Sequence, residues 1–236
     1  MKVGLLLCDH VNPLFSDEFG DYPEMFQDFW PTLELEVFAV CDGQFPDTVG
    51  DCEAYIATGS SYSVYERIDW IERLKGFIRE IHAAGKYYLG VCFGHQLLAE
   101  ALGGKVLKSN RGWSIGVHTF SILKKEAWML PYQDTLNLLM MCQDQVEVLP
   151  PGGVLLGSTP NCPMGMFRVG TKLLGIQAHP EFSKAYDQVL MESRVDRMGE
   201  AIVRQGIASL AQPLDASLFG EWAIRFFAAA KYENLQ

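Results

Sequence analysis

The sequence predicts an α/β fold: an open, mostly parallel sheet with helices on both faces and a small antiparallel addition. Three observations carry it. Residues 3–8 and 173–178 are short, near-continuous apolar runs, the pattern of strands buried on both faces of a parallel sheet. Residues 68–84 set Ile68, Ile71, Leu74, Ile78 and Ile81 at three- and four-residue intervals with charges between them, the period of an amphipathic helix. Strand-like and helix-like segments also alternate through the first half of the chain, and such alternation places active groups at the carboxyl ends of the strands.

The elements follow in order. After the first strand, the polar and aromatic stretch from Asp9 to Trp30 contains Pro13 and Pro23, which predicts a loop and then a helix over Pro23 to Phe29. Leu35 to Val40 and Ala54 to Thr58 are the second and third strands, separated by turn-rich residues 41–50 and followed by Gly59-Ser60-Ser61. The helix over 68–84 stops at Gly85, and Tyr87 to Gly90 is the fourth strand. Beyond Gly103-Gly104, the short segments 105–107, 117–123, 154–158 and 166–169 suit hairpins or an added sheet edge. Leu173 to Ala178 is a further buried strand, and residues 183–205 and 215–231 read as two terminal helices. Residues 233–236 are expected to fray and carry no weight.

Composition narrows the function. A net charge of −10, with 19 Lys and Arg against 29 Asp and Glu and no basic cluster, argues against nucleic-acid and anionic-membrane partners. No stretch approaches the roughly 18–20 apolar residues that a membrane-spanning helix needs. The opening apolar run is short and meets Asp9 without a cleavage-like site, so it reads as a strand and not a leader. Six cysteines without a CxxC pair, in a chain able to fold without staples, suit a reducing cytoplasm. A small molecule or another protein is the expected partner.

The chemistry centres on Gly90-Val-Cys-Phe-Gly-His-Gln96, where a strand turns directly into a helix. Glycines two residues either side of Cys92 let such a turn close and leave the thiol exposed. A helix N-terminus there favours the thiolate, the form that attacks. A base is then needed, and among five histidines His179 alone sits at a predicted strand end with an acid, Glu181, two residues on. The oxyanion formed by thiolate attack needs preorganised donors; the Phe93 N–H is one, and Gly59 after the third strand is the other. Taken singly these are weak signals: a cysteine between glycines is as often packing as chemistry, and a short His-Pro-Glu is more often a turn. Their occurrence together at three strand ends favours the functional reading.

These residues resemble the class I (triad) glutamine amidotransferases. The family's Gly-x-Cys-x-Gly-x-Gln is matched by Gly90, Cys92, Gly94 and Gln96, its oxyanion loop by Thr58-Gly59-Ser60, and its Gln-Phe-His-Pro-Glu-Phe by residues 177–182. The resemblance implies a flavodoxin-like sheet and a single class I glutamine amidotransferase-like domain over 1–236. It implies attack by Cys92 on a γ-glutamyl amide, a γ-glutamyl thioester, His179 as acid and base, and Glu181 as its orienter, without metal or cofactor. It also implies substrate contacts from Gln96 and Asp144, and a segment near the pocket around Trp113 and Ser114. The family's Ser-His-Gln-Asp-x-Val is Met141-Cys142-Gln143-Asp144-Gln145-Val146 here, so Cys142 stands where a histidine is usual, and the resemblance does not by itself imply strict glutamine specificity. No phosphate-binding glycine loop is present to serve an ammonia-using synthase. The resemblance therefore leaves open a separate synthase chain, a stand-alone γ-glutamyl peptidase acting on glutathione-like peptides or conjugates, and a non-catalytic regulatory subunit.

Overall fold

The computed structural model describes residues 1–233. In chain order the elements are β1 (Lys2–Leu6), α1 (Pro13–Phe19), α2 (Tyr22–Phe29), β2 (Glu34–Phe38), β3 (Ala54–Ala57), α3 (Asp69–Ala83), β4 (Tyr87–Val91) and α4 (Phe93–Ala101). They continue as β5 (Lys105–Lys108), β6 (Ser114–Ile122), β7 (Thr135–Cys142), β8 (Asp144–Val148), β9 (Gly153–Ser158), β10 (Met166–Val169) and β11 (Leu173–Ile176). The chain then turns helical, with α5 (Lys184–Ser193), α6 (Val195–Met198), α7 (Glu200–Ser209) and α8 (Ala216–Glu233).

One sheet runs β2-β1-β3-β4-β11-β10-β9-β6-β7, and a separate ribbon pairs β5 with β8. Strands β2, β1, β3, β4 and β11 are parallel, with β11 against β4 in the register Ile176 to Val91. That half has the 2-1-3-4-5 order of flavodoxin-like sheets, β11 taking the fifth place. The remaining strands, β10, β9, β6 and β7, are antiparallel. Alternation along each parallel strand sorts the core onto two faces. On one, Ile56, Leu89, Val91 and Ile176 pack with Phe26 of α2, Tyr186 of α5 and Phe219, Trp222 and Phe226 of α8. On the other, Tyr55, Ala57 and Tyr88 pack with Ile71, Leu74 and Ile78 of α3 and Leu97 and Leu98 of α4.

Several local expectations are corrected. Residues 13–19 form α1 where a loop was expected: Pro13 occupies its first turn, the Asn12 side chain accepts from the Leu14 N–H, and Gly20 stops it. Residues 141–146, which no predicted element covered, are the end of β7 and the start of β8. The apolar run 136–141 fits a buried strand and a buried helix equally well by sequence alone, and pairing along all of β6 decides for the strand. The expected single helix over 183–205 breaks at Arg194 and again at Gly199, whose φ of 91° lies outside the helical range. The end expected to fray is helical through Glu233, and 234–236 fall outside the described residues. Among the described residues no helix is long and apolar enough to cross a membrane, and the six cysteines are free thiols.

Candidate active site

Cys92 stands between β4 and α4 with φ 50° and ψ −98°, the one non-glycine residue of positive φ among those described. Holding a residue there costs on the order of 1–3 kcal/mol, and the surrounding backbone must fix it. Its N–H donates to the Ile176 carbonyl at 2.9 Å and the Gly94 N–H to the Thr58 carbonyl at 3.2 Å, tying the turn to both neighbouring strands. The flanking glycines are steric necessities. A Cβ on Gly94 would lie 2.5 Å from the Ala57 carbonyl oxygen, and one on Gly90 would lie 2.6 Å from the His95 nitrogen. His95 is wholly buried edge-on to Phe167, and burial pushes its pKa down to about 3, leaving it neutral at physiological pH.

Three residues past the end of β11, the His179 N–H donates to the Leu139 carbonyl of β7 at 2.8 Å. Its Nδ1 meets Glu181 Oε1 at 2.7 Å and its ring stacks on Phe182, centroids 3.9 Å apart. His179 also lies close enough to Cys92 for the two to interact electrostatically. Burial disfavours its charged form, but the negative charges of Cys92 and Glu181 outweigh burial and raise its pKa to about 10. The arrangement therefore favours the imidazolium form of His179. The loop after β3 lies directly against the ring: a Cβ on Gly59 would come within 2.6 Å of His179 Cε1. Phe93 begins α4 next to the sulfur, with its ring buried against Trp70.

Above Cys92 opens a pocket of about 140 Å³, with Ser60 to Ser63, Gln96, Trp113, Cys142 and Asp144 among the residues on its wall. Asp144 begins β8, and its carboxylate accepts from Ser63 Oγ at 2.5 Å and Tyr65 Oη at 3.1 Å. Gln96 Nε2 donates to the Asp144 carbonyl at 2.7 Å and to Gln177 Oε1 at 3.1 Å, while Gln177 Nε2 reaches Cys92 Sγ at 3.5 Å. An amide chain thus links the pocket wall to the sulfur. Ser114 is fully buried at the start of β6, opposite Cys142, and does not line the pocket. Burial pushes the Cys142 thiol pKa up, and the neighbouring Cys92 adds to the effect, so Cys142 stays a neutral wall residue. Sequence reasoning assigned no role to Ser63, Tyr65 or Gln177. Gln177 lies inside the matched 177–182 segment, whereas Ser63 and Tyr65 carry no signal that separates them from an ordinary loop.

Behind this group Asp187 of α5 is fully buried, and its carboxylate oxygens have no well-aligned hydrogen bond among the described residues. Burial raises its pKa to about 7, with the charges of His179 and Arg194 opposing the rise. The folded protein therefore keeps a proton that the unfolded chain releases from about 3.8 upward, so this residue makes stability fall as pH rises towards 7. Asp187→Asn should remove that slope and stabilise the fold at pH 8 by on the order of a few kcal/mol, read from urea unfolding of both proteins at pH 4 and 8. Elsewhere, metal-ligating atoms of His10, Cys41 and Asp42 lie within 4.8 Å of one another. Both His10 ring nitrogens are engaged by Asp21 at 2.6 Å and Asp42 at 3.0 Å, and burial holds the Cys41 thiol near 11, so the cluster is a charge-paired histidine and not a ligand set.

Three comparisons bear on this site. The family model described as glutamine amidotransferase class-I matches residues 51–196, a span that holds Gly59, Cys92 and His179. The chain is 32% identical over 193 residues to gamma-glutamyl peptidase 3 of Arabidopsis thaliana, covering 78% of this chain and 72% of that protein. It is 25% identical over 163 residues to a subunit of the glutamine-hydrolyzing GMP synthase of Sulfolobus acidocaldarius, covering 69% and 85%. A crystal structure of a glutamine amidotransferase from Thermotoga maritima superposes with a TM-score of 0.74 at 18% identity, over 95% of this chain and 98% of that one. That likeness bears out the flavodoxin-like, mostly parallel architecture.

Proposed function

We propose, from the premise that this chain belongs to the glutamine amidotransferase class-I family, that it hydrolyses a γ-glutamyl C–N bond through a thioester on Cys92. The carrying observation is the strained cysteine at the start of α4, on the wall of a pocket and beside a buried His179–Glu181 pair. In this reading residues 1–236 act as one domain, and the enzyme acts on γ-glutamyl amides.

The Cys92 thiolate attacks the γ-carbonyl carbon and the carbonyl π electrons move to oxygen. The Gly59 and Phe93 N–H groups receive that oxyanion. The intermediate collapses, the C–N bond breaks, and the His179 imidazolium delivers its proton to the leaving amine, leaving a γ-glutamyl thioester. Neutral His179 then takes a proton from water as the water attacks the thioester; the C–S bond breaks, glutamate leaves, and thiolate and imidazolium are restored. Glu181, at 2.7 Å from Nδ1, fixes the tautomer and supports the imidazolium. Asp144, held by Ser63 and Tyr65, receives the substrate ammonium, and Gln96 and Trp113 border the glutamyl unit. Ser114, lacking access to the pocket, supports β6 beneath it.

Likeness to one chain of a synthase favours a second reading, a glutaminase that delivers ammonia to a separate synthase chain. A direct comparison of glutamine with γ-glutamyl dipeptides separates the two. Glutamate release from either, with a glutamyl adduct on Cys92 in intact-protein mass spectra after rapid acid quench, supports the hydrolase. Release of glutamate from neither substrate would overturn it.

A further inference from the structure

The pocket over Cys92 is cationic in a chain that is strongly anionic. Its wall carries Lys108, Arg194 and Arg197 against one carboxylate side chain, Asp144, while the whole chain has a net charge of −10. The three cations come from separate places. Lys108 ends β5, opposite Asp144 in the ribbon register. Arg194 stands at the break between α5 and α6, and Arg197 lies on α6 with its guanidinium 5.6 Å from the Trp113 ring centroid. Among the described residues neither guanidinium is ion-paired, and Asp144 is already held by the hydroxyls of Ser63 and Tyr65.

Charge matching selects among γ-glutamyl substrates. Every γ-glutamyl unit brings one ammonium and one carboxylate. In glutamine, Asp144 takes the ammonium and one cation takes the carboxylate, which leaves two cations unanswered in a confined pocket. A leaving amine that is itself an amino acid supplies the missing anion. Guanidinium groups suit it, because their planar N–H fork matches a carboxylate in two parallel hydrogen bonds, and Arg197 lies over the Trp113 ring.

We infer that Arg194 and Arg197, with Lys108 across the pocket, bind a carboxylate on the leaving amine. The preferred substrate is then a γ-glutamyl amino acid or peptide with a free carboxyl terminus, and free glutamine is a poor one. This rests on the hydrolase reading above.

The test uses γ-glutamylglycine and γ-glutamylglycinamide, which differ only in the terminal carboxylate. The wild-type enzyme should favour the acid by about tenfold or more in kcat/KM, the worth of one charge-assisted contact. In the double variant Arg194→Gln, Arg197→Gln that ratio should fall towards one, whereas Arg197→Lys should keep most of it. A wild-type ratio near one, or a ratio that survives in the double variant, overturns the inference; so does equal loss on both compounds, which would put the arginines on the glutamyl unit. The same ratio is read as Kd by calorimetry on Cys92→Ala, with and without the two arginines. If the wild type cleaves neither compound but Cys92→Ala binds the acid preferentially through the arginines, the hydrolase reading fails and the carboxylate site stands.

Discussion

Replacing Cys92 by alanine should lower γ-glutamyl amide hydrolysis by at least about a thousandfold, because of the two thiols on the pocket wall only Cys92 stands at a helix N-terminus. Cys142, the other thiol on the wall, is held neutral by burial and ends a strand, β7, so no helix N-terminus favours its thiolate. Removing a nucleophile from a cooperating group commonly costs more than this, and what survives comes from binding and oxyanion contacts alone. Glutamate release measures the loss, and thermal melting guards against misfolding, since alanine must occupy the same φ of 50°. A companion change separates chemistry from structure. Interaction with Cys92 helps hold the His179 pKa near 10 against burial, so in Cys92→Ala the imidazole should titrate at markedly lower pH by NMR. Turnover within tenfold of wild type, or an unmoved His179, would remove Cys92 from the mechanism.

Much of this site is legible in the sequence because its parts are local. Cys92 and its two glycines fall within five residues, and His179 and Glu181 within three, so spacing alone constrains how each set can point. The parallel strands read well for a related reason: burial on both faces leaves an apolar run that little else produces. What the sequence leaves ambiguous depends on distant pairing. Residues 136–141 become a strand only through partnership with β6, and Asp144 thereby enters the pocket on β8 and not on a loop. Arg194 and Arg197 lie in what periodicity reads as the interior of one helix, and only the breaks at Arg194 and Gly199 turn that segment towards the pocket. Ser114 shows the converse: although next to Trp113 in sequence, it is fully buried in the first position of β6 and does not reach the pocket.

The second large effect concerns the glycine that lets the turn exist. Gly90→Ala should destabilise the protein by about 3 kcal/mol or more and abolish hydrolysis in whatever fraction still folds. A Cβ there would press on the Gly94 carbonyl and the His95 nitrogen, both backbone atoms of the first turn of α4. No side chain can rotate to relieve the clash. The helix would have to lift from β4, and in lifting it would carry the Phe93 N–H and Cys92 away from His179. Overpacking of a tight site typically costs 1–3 kcal/mol, and an immovable backbone neighbour puts this case at the top of that range or beyond it. Gly76, in the middle of α3, is the control, because a Cβ there would lie 3.8 Å from its nearest neighbour, the end of Arg79. Gly76→Ala should stabilise by about 0.5–1 kcal/mol through helix propensity alone. Urea unfolding of the two variants should therefore move in opposite directions. If Gly90→Ala melts like wild type and keeps its activity, close contact between β4 and α4 is not what holds the sulfur in place.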